Sequence, residues 1–150
     1  MVHQNSLGFL LADVTRRMRR AFAKRLDGSF LTMAQARVLV YVSRHEGIRQ
    51  IDLADLLDIQ PITLTRLIDQ LVDGGAMERR PDPRDRRAYQ LYLLPPAQAH
   101  LQTIEAVNAA LRQDMLHGMT DEQVSDLLSM LQQMHDRLSA DADVNSSERV

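Results

Sequence analysis

The 150-residue chain contains no cysteine and no tryptophan. Without cysteine there is no disulfide, no thiolate metal site and no thiol redox switch. That suits a reducing compartment, and a cytoplasmic location is expected. Aromatic residues make up only 4 % of the chain, so aliphatic and methionine side chains must fill the core within its 45 % hydrophobic fraction. No apolar run approaches the roughly 20 residues that a membrane-spanning helix needs. The first twenty residues hold Asp13 and four arginines, the wrong chemistry for a secretory signal. No glycine-rich phosphate loop is present, and no Ser-His-Asp set is suggested. The histidines, at positions 3, 45, 100, 117 and 135, form no His-x-x-x-His pair, so no zinc site is expected. These absences point away from an enzyme and from any cofactor.

What remains is a division of charge. The net charge is −2, yet residues 1–100 hold 15 Lys+Arg against 11 Asp+Glu, a balance of +4, and residues 101–150 hold 3 against 9, a balance of −6. The basic residues gather at Arg16 to Arg25 and at Arg79 to Arg87. Such segregation marks a nucleic-acid face beside a separate solvated lobe.

Apolar spacing places the elements. Leu7, Leu10, Leu11, Val14, Met18, Phe22 and Leu26 recur at intervals of three and four, which predicts a helix. Asp27-Gly28-Ser29 ends it. Thr32 to Gln35 is a capping box, so the β-branched stretch Val38 to Val42 belongs to a helix running to about Arg44 and not to a strand. Gln50 to Asp58 reads as a short helix with Ile51, Leu53, Ala54, Leu56 and Leu57 inward. The next helix opens with Pro61 at its first position, where a missing N–H costs nothing. Leu64, Leu67, Ile68, Leu71 and Val72 form its buried stripe, and Gly74-Gly75 stops it.

Short strands are expected at 77–80 and 88–93, around an arginine-rich tip, Pro81-Asp82-Pro83-Arg84-Asp85-Arg86-Arg87. A helix follows from about Ala97 to His117. A second capping box, Thr120 to Gln123, starts the last helix, which is expected to fray after Ser139.

Two helices joined by a tight turn, the second with a polar outer face, make a helix-turn-helix. The fold class is therefore mainly α with a small β-hairpin wing, a winged helix-turn-helix with N- and C-terminal dimerisation helices. Residues 32–95 form the winged lobe, 1–31 and 96–140 the helical dimerisation lobe, and 141–150 a disordered tail. Gln60, Pro61, Thr63, Thr65, Arg66 and Gln70 are candidate contacts to base edges in a major groove. Arg84, Asp85, Arg86 and Arg87 are candidates for phosphates or the adjacent minor groove. Asn108, in an otherwise apolar seam, either fixes dimer register or faces solvent.

This order of elements and its motifs resembles the MarR family of bacterial winged-helix transcriptional regulators over about residues 6–138. The most specific match is Arg79-Arg80-Pro81-Asp82-Pro83-Arg84-Asp85-Arg86-Arg87 after Gly74-Gly75. The Gln60-Pro61 start and Thr65-Arg66-Leu67 match the family's recognition helix, and Leu116-His117-Gly118-Met119-Thr120 is similar to a joint in the SlyA branch. The resemblance implies a homodimer on an inverted-repeat operator in double-stranded DNA, acting as a repressor. It implies that Asp85 pairs with Arg87 and aims its guanidinium into the minor groove. It also implies a pocket for a small anionic aromatic effector, with Arg16, Ala36 and Val40 at the matching positions. An activator or anti-silencing factor of the same fold, or a protein-interaction module that does not bind DNA, remain the alternatives. Leu93-Leu94-Pro95-Pro96 departs from the family's Leu-Thr pair and glycine-containing helix start, which points to a stiffer hinge between the lobes. The cysteine of peroxide-sensing members is absent, which argues against thiol sensing.

Overall fold

The computed structural model describes residues 6–29 and 31–147, with side chains to residue 140. The elements run α1 (Leu7–Leu26), α2 (Met33–Arg44), α3 (Gln50–Leu57), α4 (Pro61–Asp73), β1 (Met77–Asp82), β2 (Asp85–Leu93), α5 (Ala97–Met115) and α6 (Asp121–Ser147). Two compact units result, 1–111 and 112–150, with the division falling inside α5. The lobes drawn from the sequence follow expected function; these units follow packing, and α1 and most of α5 belong with the winged segment.

Local chemistry explains the boundaries. The Ser6 hydroxyl accepts the Phe9 N–H at 3.3 Å to open α1. The Thr32 hydroxyl accepts the Gln35 N–H at 3.2 Å, and the Gln35 carboxamide oxygen accepts the Thr32 N–H at 3.0 Å. This reciprocal cap holds the β-branched run Val38 to Val42 in a helix against its strand preference. Thr120 and Gln123 repeat the arrangement ahead of α6. The Leu94 carbonyl accepts the Ala97 N–H, so the turn after β2 leads directly into α5 without the missing threonine. The backbone of α6 remains helical to Ser147, past the polar turn at Ser139 where the sequence suggests fraying. Residues 148–150 of the expected tail, and His3, lie outside the described residues.

The core of the first unit is aliphatic, as the scarcity of aromatics requires. Val38, Leu39 and Val42 of α2, Leu53 of α3, Leu64 and Ile68 of α4, and Leu91 of β2 are fully buried together. Ile51 and Leu56 correct the sequence reading: they are 49 % and 46 % exposed, because the eight-residue α3 turns only Leu53, Ala54 and Leu57 inward. The wing is rooted in this core by a strand-like segment. The Gly47 N–H donates to the Leu91 carbonyl and the Leu91 N–H to the Ile48 carbonyl, both at 2.9 Å, and Arg49 bridges Gln90. Gly47 has φ +83°, and a Cβ there would stand 3.0 Å from the Tyr92 hydroxyl, so a side chain would be strained in its backbone and would have to displace that hydroxyl.

Candidate nucleic-acid interface

α4 buries Leu64, Ile68 and Leu71 and leaves Pro61, Ile62, Thr63, Thr65, Arg66, Asp69 and Gln70 exposed. Hydrogen bonding divides the exposed polar set in two. The Thr65 hydroxyl donates to the Pro61 carbonyl at 3.0 Å and accepts from the Gln50 carboxamide at 2.8 Å. The Gln70 carboxamide oxygen accepts from Gln35 at 2.9 Å. Asp69 accepts from Arg79 at 2.6 Å. These three groups tie α4 to α2, α3 and β1. In contrast, the side chains of Gln60, Thr63 and Arg66 have no hydrogen-bond or ion-pair partner among the described residues, so their donors and acceptors face outward unspent. Of the sequence candidates on this helix and its N-cap, the unpaired ones are therefore Gln60, Thr63 and Arg66, while Thr65 and Gln70 are partly committed to holding the helix in place.

The same division runs through the arginines of the wing. Arg79 is half-buried. It donates from Nε to Gln50 at 3.2 Å, and from one terminal nitrogen to Asp69 and, at 3.4 Å, to the Thr65 carbonyl. It locks β1 to α3 and α4. Arg80 lies 3.9 Å over the Tyr92 ring and donates to Glu78 at 2.6 Å. Arg84, Arg86 and Arg87 are exposed, and no side-chain hydrogen bond or ion pair occupies them among the described residues.

The tip is tighter than its sequence suggests. β1 runs through Asp82 and β2 starts at Asp85, which leaves Pro83-Arg84 as the apex. Pro81 pairs with Tyr89 but Asp82 pairs with Asp85, so Arg86, Arg87 and Ala88 have no counterpart on β1. They form a bulge, a feature that bends a strand and re-aims its side chains. Two carboxylates hold it. Buried Asp82 accepts the Arg84 N–H, and Asp85 accepts the Arg87 N–H, each at 2.9 Å. The expected side-chain pairing of Asp85 with the Arg87 guanidinium is therefore replaced by a local bond to its backbone, the short-range competition that aspartate favours. The effect on Arg87 is positional all the same: its backbone is pinned while its guanidinium is left free.

A cleft of about 310 Å³ connects the two elements. Arg49, Gln50, Pro61, Asp85 and Arg87 are among the residues that line it, so the start of α4 and the bulge of β2 border one groove. Arg49 lines this groove, and apolar spacing did not reveal it. It sits at the N-cap of α3 and is gripped by both oxygens of Asp52, at 2.8 and 3.1 Å. That hydrogen bonding holds the guanidinium charged beyond its ordinary range.

A second cavity of similar volume, about 310 Å³, opens between α1, α2 and α5 within the first unit. Ala36 and Val40 line it, together with Met18, Phe22, Tyr41, Ile104 and Asn108. Arg16 does not. It is drawn to Asp13, which also accepts from Arg17 at 2.9 Å; the hydrogen bonds from Arg17 and then Arg16 keep the Asp13 carboxyl below its ordinary range. Arg19 and Arg37 are the arginines that line it, and the Arg37 guanidinium donates to the Leu57 carbonyl at 3.4 Å, outside the cavity's lining. Asn108 is exposed and turns to this cavity, which accounts for an amide in an apolar seam. Among the described residues no cluster of His, Cys, Asp or Glu could hold a metal ion, and no helix is long and apolar enough to cross a membrane.

The chain's relatives share this architecture. MarR from E. coli without ligand is 27 % identical, with a TM-score of 0.78 over 86 % of this chain and 96 % of that one. A cysteine-to-serine mutant of E. coli MarR complexed with operator DNA is 29 % identical, with a TM-score of 0.72 over 85 % and 92 %. The structure of the Multiple Antibiotic Resistance Repressor, MarR, is 28 % identical, with a TM-score of 0.79 over 86 % and 94 %. The MarR family's sequence model matches residues 31–89, the span from the α2 cap through the wing bulge. With the winged helix and its hairpin in place, the chain has the fold of MarR transcriptional regulators, and its residues 31–89 match the MarR family's model.

Proposed function

We propose that the chain is a homodimeric, sequence-specific DNA-binding repressor of a nearby promoter, relieved by a small anionic aromatic ligand. The observation that carries the DNA assignment is the groove lined by both Pro61 of α4 and Arg87 of the bulge. Free hydrogen-bonding groups on the helix suit base edges, and unpaired guanidinium groups on the strand suit phosphates and a narrow minor groove. The E. coli relative bound to operator DNA supports the same partner.

Dimerisation is supported by apolar surface that the single chain leaves in water. Leu7, Phe9, Leu10, Leu11, Val14 and Met18 of α1 are each at least 39 % exposed. In the second unit, Leu128, Met130, Leu131 and Leu138 of α6 are also exposed. Two-fold symmetry then sets the operator as an inverted repeat with half-sites about one helical turn, roughly 10 bp, apart.

The cavity beside Ala36 and Val40 supports the ligand class. Its walls are apolar and aromatic, with Arg19 as the cation for a carboxylate. Such a ligand acts only if it binds the DNA-competent and DNA-incompetent arrangements unequally. Arg19 is exposed and outside the core, so Arg19→Ala is expected to leave DNA affinity unchanged. It should also raise the concentration of a substituted benzoate needed for release by about tenfold, the loss of one charge-assisted pair. Titration of preformed protein–DNA complex with such benzoates measures both. Unchanged release by Arg19→Ala would remove the ligand from this cavity.

The bulge makes a separate prediction. Arg87→Ala should weaken binding more on an A·T-flanked operator than on a G·C-flanked one, because the narrow groove of A·T tracts concentrates negative potential. Competition binding with the two flanks measures the difference. Equal losses would place Arg87 on phosphates alone.

A further inference from the structure

Ile62 stands out against the face it occupies. At 74 % it has the highest exposure of any large apolar side chain among the described residues. It belongs neither to the buried core nor to the partly buried residues packed on it. The fold gives no reason for an isoleucine here. It lies one residue past Pro61, in the first turn of α4, where an acidic residue would favour the helix dipole and none is present. A β-branched side chain also adds nothing to helix propensity. Its surroundings on the helix are polar: Thr63 is next in sequence, and Arg66 lies four residues on, along the same face.

We propose that Ile62 is a specificity-determining residue that reads the 5-methyl group of a thymine in the major groove. The inference rests on α4 being the DNA-reading helix and assigns a base to it. Among the base edges in the major groove, the thymine methyl is the apolar feature, and an aliphatic side chain is its complement. Side chains of a helix lean toward its N-terminus, so Ile62 projects toward the end of α4 that enters the groove in helix-turn-helix proteins. Arg66, one turn later, takes a neighbouring hydrogen-bonding edge. The rise between the two, about 6 Å at 1.5 Å per residue, spans roughly two base steps. An exposed apolar side chain beside Thr63 and Arg66 on the helix fits a single methyl better than a protein surface, which would present an apolar patch.

The test uses duplexes that the full-length protein itself selects from a random pool. Each thymine of the enriched site is replaced in turn by deoxyuridine, which removes only the methyl. One thymine in each half-site should weaken the native protein by about fourfold on replacement, the loss of one buried methyl group. Ile62→Ala should bind the thymine duplex more weakly and respond less than twofold to the same replacement. Ile62→Ser, which replaces both hydrocarbon arms with a single hydroxyl, should behave likewise, and both variants should keep the native melting temperature. A native protein indifferent to every deoxyuridine, or variants as sensitive to the methyl as the native chain, overturns the assignment of Ile62 while leaving sequence selection intact. If no sequence is enriched, the DNA-reading role of α4 falls, and the Ile62 proposal falls with it.

Discussion

Replacing Arg66 with alanine is expected to abolish specific operator binding while leaving the melting temperature unchanged. Its guanidinium is exposed on the outer face of α4 and has no partner among the described residues, so the fold loses nothing when it is removed. A bidentate contact to a guanine O6/N7 pair discriminates by about 1–3 kcal/mol, and a symmetric dimer makes it twice. The combined loss, about 2–6 kcal/mol, is at least roughly 30-fold in affinity. Arg66→Lys should recover little, because an ammonium retains the charge but not the fork. Fluorescence anisotropy on a selected operator and on a scrambled duplex separates the two contributions. If Arg66→Ala loses the same factor on both duplexes, Arg66 binds phosphate and carries no sequence information.

The second large effect is on salt dependence. Arg84 sits at the hairpin apex and Arg86 on the bulge, both exposed and unpaired among the described residues. Each phosphate contact contributes about −0.9 to the slope of log K against log salt. Removing both side chains from both protomers should therefore flatten that slope by roughly 3 to 4. At low salt the double variant should bind far more weakly than the native protein, and the gap should narrow as salt rises. Arg79 provides the contrast. Its guanidinium is spent on Asp69, Gln50 and the Thr65 carbonyl, so its loss would loosen the wing without subtracting a phosphate contact. An unchanged slope in the Arg84→Ala/Arg86→Ala protein would show that the wing does not touch the sugar–phosphate backbone.

The elements were legible in the sequence because their signals are local. The Thr32–Gln35 and Thr120–Gln123 boxes fix helix starts over four residues each, and Pro61 and Gly75, at φ +73°, bound α4 by backbone chemistry alone. The free and tied faces of α4 were not separable in this way. Thr65 and Gln70 sit at the same outward spacing as Thr63 and Arg66, and only contacts with Gln50 and Gln35, distant in the chain, commit them. The same holds for the arginines between 79 and 87. Composition makes them one basic cluster, whereas strand register sorts them into anchors and free cations. A bulge depends on how two strands align, which spacing on one strand cannot reveal.

The cavity shows how close a sequence expectation can come and still miss. Ala36 and Val40 line it, but Arg16 does not, and Arg19, one helical turn on, does. Asp13, at three and four residues before Arg16 and Arg17, draws both of those arginines to itself. Arg37 was hidden by its place in the middle of an apolar helix, where a lone arginine reads as a solvated residue.

Selection of duplexes by the purified full-length protein, followed by sequencing of those retained, tests the central claim most directly. The enriched DNA should carry an inverted repeat whose half-sites are centred roughly 10 bp apart, and retention should collapse when Arg66 is replaced. An unbiased pool after selection, or enrichment that Arg66→Ala leaves untouched, would contradict the account.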